Sequence, residues 1–135
     1  LAKNPFIMVT EITEGVKVSV EAIYQPEYSN PENEHFMFAY RITIENVGEY
    51  SVQLLSRHWY IFDSNGTHRE VEGEGVVGQQ PIIAPGEQYE YVSGCNLKSD
   101  MGSMQGSYKM LREMDGALFD VIIPKFHLMP DHKLN

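Results

Sequence analysis

The sequence predicts an all-β protein, a mostly antiparallel sandwich of roughly seven to eight short strands with little or no helix. Three observations carry this. Residues 16–22, 36–44 and 104–110 alternate apolar and polar side chains with period two, the pattern of strands with one buried face. Asn65-Gly66 and Asp115-Gly116 are hairpin signals, because these residue types accept the positive φ of tight turns. No stretch sustains apolar residues at i, i+3, i+4 and i+7, so no amphipathic helix is expected.

In chain order, Phe6-Ile7-Met8-Val9 is a short apolar run, read as an edge strand or an N-terminal arm within residues 1–14. Val16, Val18, Val20 and Ala22 share one strand face, and residues 25–34, with Pro26 and Pro31, form a loop. Phe36, Phe38, Tyr40, Ile42 and Ile44 define the clearest strand. Between Ser51 and Asp63, Val52 and Leu54 keep one phase while Leu55, Trp59 and Ile61 keep the other. A bulge near Leu54 and Leu55 reconciles them.

A two-residue turn at Asn65-Gly66 opposes Ser64 to Thr67, and hence His68 to Asp63, with His58 well away from His68. Pro85-Gly86 before Tyr89 has the form of a tyrosine corner. Met104, Gly106, Tyr108 and Met110 share the next apolar face. Phe119, Val121 and Ile123 form the last regular strand, with Pro124 ending central pairing and Phe126 and Leu128 extending along an edge. Residues 130–135 are expected to fray. The expected core comprises Val18, Val20, Phe38, Tyr40, Ile42, Trp59, Tyr108 and Val121.

The 135 residues suggest a single domain over residues 1–135. Nineteen acidic against ten basic side chains give a formal charge of −9, which argues against generic nucleic-acid binding. No apolar run approaches a membrane span and no secretory signal is visible, so a cytoplasmic protein is expected. Cys95 is the one cysteine, expected as a buried thiol. Monomer and homodimer are both open.

The most motif-like stretch spans residues 71–91. Gly73, Gly75 and Gly78 stand at the G-x-G-x-x-G spacing of dinucleotide-binding turns. That motif works through a helix opening on the pyrophosphate, and Pro81 and Pro85 leave no room for one. The glycines are therefore read as a close-packed β-connection. Arg57 and Arg69 would be the anion contacts if a nucleotide or pyrophosphate bound here; otherwise they are expected in exposed ion pairs with neighbouring glutamates.

The same stretch, Gly73-Glu74-Gly75-Val76-Val77-Gly78-x-Gln80-Pro81 followed by Pro85-Gly86-x-x-Tyr89-x-Tyr91, resembles the signature of the ApaG family. Phe38-Ala39-Tyr40, Val52-Gln53-Leu54-Leu55-x-Arg57-x-Trp59, Gly102-x-Met104-x-Gly106-x-Tyr108-x-Met110 and Ile123-Pro124-x-Phe126 follow in family order. The resemblance implies a sandwich of the fibronectin type III or immunoglobulin-like kind. It also implies a family whose bacterial members are linked to cobalt tolerance and magnesium efflux. In eukaryotes the same domain occurs in an F-box protein and in a polymerase-interacting protein, as an interaction module.

Chemistry is sparse. Glu70, Glu72 and Glu74 lie on one strand face and are the candidate ligands for a hard divalent cation, although such rows are usually solvated. The five histidines form no ligand motif, and no nucleophile has an identifiable base. The expectation is a non-enzymatic module without a cofactor that binds a protein partner, the alternative being a protein for a nucleotide or divalent cation.

Overall fold

The computed structural model describes residues 8–130. Of the arm or edge strand expected within residues 1–14, residues 1–7 lie outside the described residues, as do residues 131–135 of the tail expected at 130–135. Nine strands follow in order: β1 Val9–Thr13, β2 Val16–Tyr24, β3 Phe36–Asn46, β4 Val52–Asp63, β5 His68–Glu74, β6 Ile82–Ile83, β7 Gln88–Leu97, β8 Gly102–Arg112 and β9 Leu118–Leu128. The excess over the expected number is accounted for by the two-residue β6, too short for its own periodicity to show. Two single-turn 3-10 helices, Pro26–Tyr28 and Pro31–Asn33, lie in the loop before β3.

Every strand pairing is antiparallel. One sheet runs β1-β2-β3-β7, and the other runs β5-β4-β8-β9 with β6 pairing on β4. Their inner faces meet as a sandwich, because each long strand offers alternate apolar residues to the same interior. The eight expected core residues are all buried, none more than 5 % exposed. The Trp59 ring meets Tyr40 and Phe126 edge-on, with centroids 5.5 and 5.9 Å away. It joins the two sheets through an aromatic cluster.

The bulge in β4 falls between Leu54 and Ser56, where the residue phase required it. A second irregularity lies between β8 and β9 at Met104 and Gly106. It absorbs Pro124, so β9 runs on to Leu128 instead of losing its pairing there: Ile123 and Phe126 both point inward across the shift. Gly106 permits the close approach to β4, since a Cβ on it would lie 2.0 Å from the His58 carbonyl oxygen.

Two local expectations are corrected. The Asn65-Gly66 turn is longer than two residues. Asp63 N–H donates to the Thr67 carbonyl at 2.9 Å, leaving Ser64, Asn65 and Gly66 as the loop, with Gly66 at φ +95°. This three-residue form shifts the register by one, so that His68 faces Phe62 and Glu72 faces His58. The tyrosine corner is also replaced. Tyr89 packs on Tyr91 with ring centroids 6.4 Å apart, and the buried hydroxyl bond in this strand joins Tyr91 to Tyr108 at 2.5 Å.

The two long sides of the sandwich differ. On one, β9 packs against β1 and β2, and Ile122 N–H donates to Thr13 Oγ1 at 3.2 Å. On the other, β5 and β7 are sheet edges that face each other across a cleft.

Candidate functional site at the open edge

Period two divides the polar residues of β4 and β5 between opposite faces. On the outer face, the three-residue loop sets His58 opposite Glu72. His58 Nε2 lies 2.6 Å from a Glu70 carboxylate oxygen and 3.7 Å from one of Glu72. Its ring stacks on Tyr60 at 4.6 Å, which fixes its orientation. The ligand atoms of His58, Glu70 and Glu72 lie within 4.8 Å of one another. Glu74, the third carboxylate expected here, is opposite Ser56 at the end of the ladder and outside this group. One imidazole and two carboxylates suit a borderline divalent ion. They also form an ordinary exposed histidine–carboxylate pair.

The sequence suggests His58 as a metal ligand only with His68, from which the expected register separates it, and not with Glu70 and Glu72. The signal that places it there is the loop length after β4, because a one-residue change of register decides which side chains oppose each other. His68 stays apart, packed on Phe62 at 4.9 Å.

The inner face carries the arginines. Arg57 is in phase with Trp59 and Ile61, and Arg69 is opposite Ile61. Both therefore turn into the space between the sheets. The expected ion pairs with glutamates are absent among the described residues. Arg57 Nη1 instead donates to the carbonyls of Glu74 and Gly75, each at 2.9 Å. Arg69 Nη2 crosses the cleft to the Asn96 carbonyl at 2.6 Å and touches Cys95 Sγ at 3.5 Å. Gly73 is the floor on which the Arg57 guanidinium lies, since a Cβ there would stand 2.8 Å from both terminal nitrogens.

The cleft has a volume of about 250 Å³. Tyr40, Trp59, Ile61, Val71 and Met104 give it apolar walls, while Ser93, Cys95 and Asn96 come from β7. Burial raises the Tyr40 phenol above its ordinary pKa, and a Ser93 hydrogen bond partly offsets this. Burial likewise pushes the Cys95 thiol up, with Arg69 pulling the other way. Cys95 is thus a buried, protonated thiol near neutral pH, as its isolation in the sequence suggested.

The glycine stretch folds back on itself. Gly75 N–H donates to the Leu55 carbonyl, and Val76 and Gln79 exchange both of their backbone bonds at 2.8 and 3.0 Å. Between them Val77 and Gly78 both have positive φ, +47° and +76°, as in a type I′ turn. Gly75, at φ +62°, sits where a Cβ would be 2.3 Å from the Gln79 carbonyl oxygen. The chain then continues through Pro81 into β6, and no helix opens here. The amides of Gly75, Val76 and Gln79 are engaged in the connection itself.

The ApaG domain model matches residues 26–112. Protein ApaG of Anaeromyxobacter dehalogenans (strain 2CP-C) is 48% identical over 128 residues, covering 95% of this chain and all of that protein. Protein ApaG of Pseudomonas paraeruginosa is 57% identical over 113 residues, 84% of this chain and 89% of its own. The crystal structure of a protein designated ApaA from Bordetella pertussis superposes with a TM-score of 0.83 at 45% identity, covering 85% of this chain and 93% of that one. The matched segment holds β3 to β8 and both faces of the open edge, and on this agreement of sequence and fold the chain belongs to the ApaG domain family.

Proposed function

We propose that this chain is a non-enzymatic interaction module whose contact surface is the open edge formed by β5 and β7. The observation that carries the reading is the asymmetry of the sandwich. One long side is covered by packing of β9 on β1 and β2, while the other presents two strand edges around a cleft. Free strand edges are standard places for backbone-mediated recognition. Partly exposed Val71 on β5, exposed Val92 on β7, and exposed Tyr60 and Phe62 on β4 supply apolar contact beside them. No helix among the described residues is long and apolar enough to cross a membrane. The ApaG resemblance supports a partner linked to cobalt and magnesium homeostasis. The test is affinity capture from native cytoplasm with mass-spectrometric identification, run in parallel with Val71→Lys. A partner retained equally by this variant argues against the edge. Sedimentation of the purified chain decides whether the partner is a second copy.

A second reading is favoured by the His58, Glu70 and Glu72 group, which is a candidate site for a divalent cation. Calorimetric titration with cobalt and with magnesium tests it. A bound ion at 100 times its dissociation constant raises stability by about 2.7 kcal/mol, and His58→Ala should abolish that gain. A nucleotide at Gly73, Gly75 and Gly78 has less support, because no helix opens on this turn and the Gly75, Val76 and Gln79 amides are already hydrogen-bonded.

A further inference from the structure

The cleft between β5 and β7 combines features that belong to small-ligand sites. It is lined by eleven residues, of which two are arginines and none is Asp or Glu. In a chain of net charge −9, that is a local reversal of sign. Neither guanidinium has a carboxylate partner among the described residues. Asp63 acts on Cys95 electrostatically, but its carboxylate is hydrogen-bonded to Lys98 N–H and to the Ser99 hydroxyl. A guanidinium stays charged at any physiological pH, so half-buried Arg57 and exposed Arg69 both present positive charge to the cleft without a carboxylate beside it.

The two arginines are also held in place. Arg57 is tied to two carbonyls through Nη1 alone, and Arg69 is tied to Asn96 and Cys95 through Nη2 alone. A guanidinium has five N–H donors, so each retains its remaining nitrogens for a further acceptor. Along the strands the two positions are separated by the Trp59 and Val71 pair. At ~3.3 Å per residue this spacing is on the order of 13 Å. Between them lie the rings of Trp59 and Tyr40.

We propose that this cleft binds a small organic oxyanion, a carboxylate or phosphate carried on an apolar or aromatic body. The oxyanion meets the spare donors of Arg57 or Arg69, with the Ser93 hydroxyl nearby, and the body lies against Trp59 and Tyr40. The cleft is of a size for a ligand of one ring, at about 250 Å³. A hydrophobic body with few fixed polar groups is the usual division of labour in such sites. The inference concerns the same edge as the interaction reading. Its test uses no protein partner, so the two fail separately.

Trp59 is the only tryptophan and forms part of the wall, so its emission reports on occupancy directly. The experiment is fluorescence titration, excited at the red edge of indole absorption, with phenyl phosphate, benzoate and benzyl alcohol. These share a ring and differ in the group that the arginines would recognise. Saturable quenching by one or both anions, weakened by added salt and absent with the alcohol, is the expected result. Preference between the two anions distinguishes phosphate from carboxylate. Arg69→Gln should weaken binding by about tenfold or more. Arg57→Lys should keep part of it, since the charge remains while the fork is lost. No saturable change with either anion at millimolar concentration overturns the proposal, as does equal binding of benzyl alcohol. Because the anion-against-alcohol comparison needs only the wild-type chain, the result stands even if a variant fails to fold.

Discussion

The Arg57 guanidinium occupies the place where a side chain at Gly73 would stand, with both of its terminal nitrogens 2.8 Å from that absent Cβ. The glycine spacing that looks like a phosphate-binding motif is therefore occupied by the protein's own groups. Three alanine substitutions separate the roles. Gly75→Ala should lose about 2–4 kcal/mol, because the methyl meets the Gln79 carbonyl and the φ is left-handed. Gly78→Ala has open space around it and should lose only the conformational part, about 1–2 kcal/mol. Gly73→Ala should lose about 1 kcal/mol, since the guanidinium end can shift. Denaturation midpoints check the ranking. Calorimetry with mono- and dinucleotides, with and without magnesium, should show no tight binding by the wild type. Micromolar binding lost in stable variants would overturn this account.

Val77 is a β-branched residue at φ +47° on an exposed turn. Left-handed backbone costs such a residue about 1–2 kcal/mol. Val77→Asn should raise the denaturation midpoint by the equivalent of about 1 kcal/mol with an unchanged slope, because asparagine tolerates that conformation. A lowered midpoint would mean that the valine side chain contributes packing that outweighs its strain.

Trp59→Ala empties the aromatic cluster that Trp59 forms with Tyr40 and Phe126. The expected loss is about 3–5 kcal/mol in a denaturant titration. A loss under about 1 kcal/mol would be incompatible with the observed burial.

Burial holds the phenols of Tyr40, Tyr91 and Tyr108 above the ordinary tyrosine range. The folded protein thus keeps protons that the unfolded chain releases near pH 10. Stability from these groups is full below that pH and falls as pH rises through it, by up to about 1.4 kcal/mol per pH unit for each tyrosine. Absorbance at an ultraviolet wavelength specific for tyrosinate should show these three ionising only with unfolding. Tyr91→Phe leaves the Tyr108 hydroxyl without its partner and should cost about 1–3 kcal/mol. Adding Tyr108→Phe should recover part of that loss, a coupling that a double-mutant cycle measures.

Periodicity made β2, β3 and β8 readable because one face of each is buried in an otherwise polar sequence. The β4 bulge was readable for the same reason, since a change of phase within one strand has few other physical meanings. Register was not. Asn65-Gly66 is compatible with loops of two or three residues, and only the pairing of Asp63 with Thr67 decides between them. That choice brought His58 to Glu70 and Glu72. The inward direction of Arg57 and Arg69 follows from their phase with Trp59 and Val71, but charge makes an outward placement the ordinary expectation. What overrides it is the edge itself, where backbone carbonyls of Glu74, Gly75 and Asn96 need donors.

A sandwich sealed along one long side and free along the other has the mechanics of a book with a spine. β1 and β9 form the spine, where the Thr13–Ile122 bond and apolar packing hold the sheets at fixed separation. At the fore-edge Arg69 clasps Asn96, and deeper in the Tyr91–Tyr108 bond and the Trp59–Tyr40 contact hold the covers together. β5 and β7 are the outermost strands of their sheets on this side, so their amide exchange should outpace that on the interior strands β3 and β8. Anything wedged between the covers would slow it.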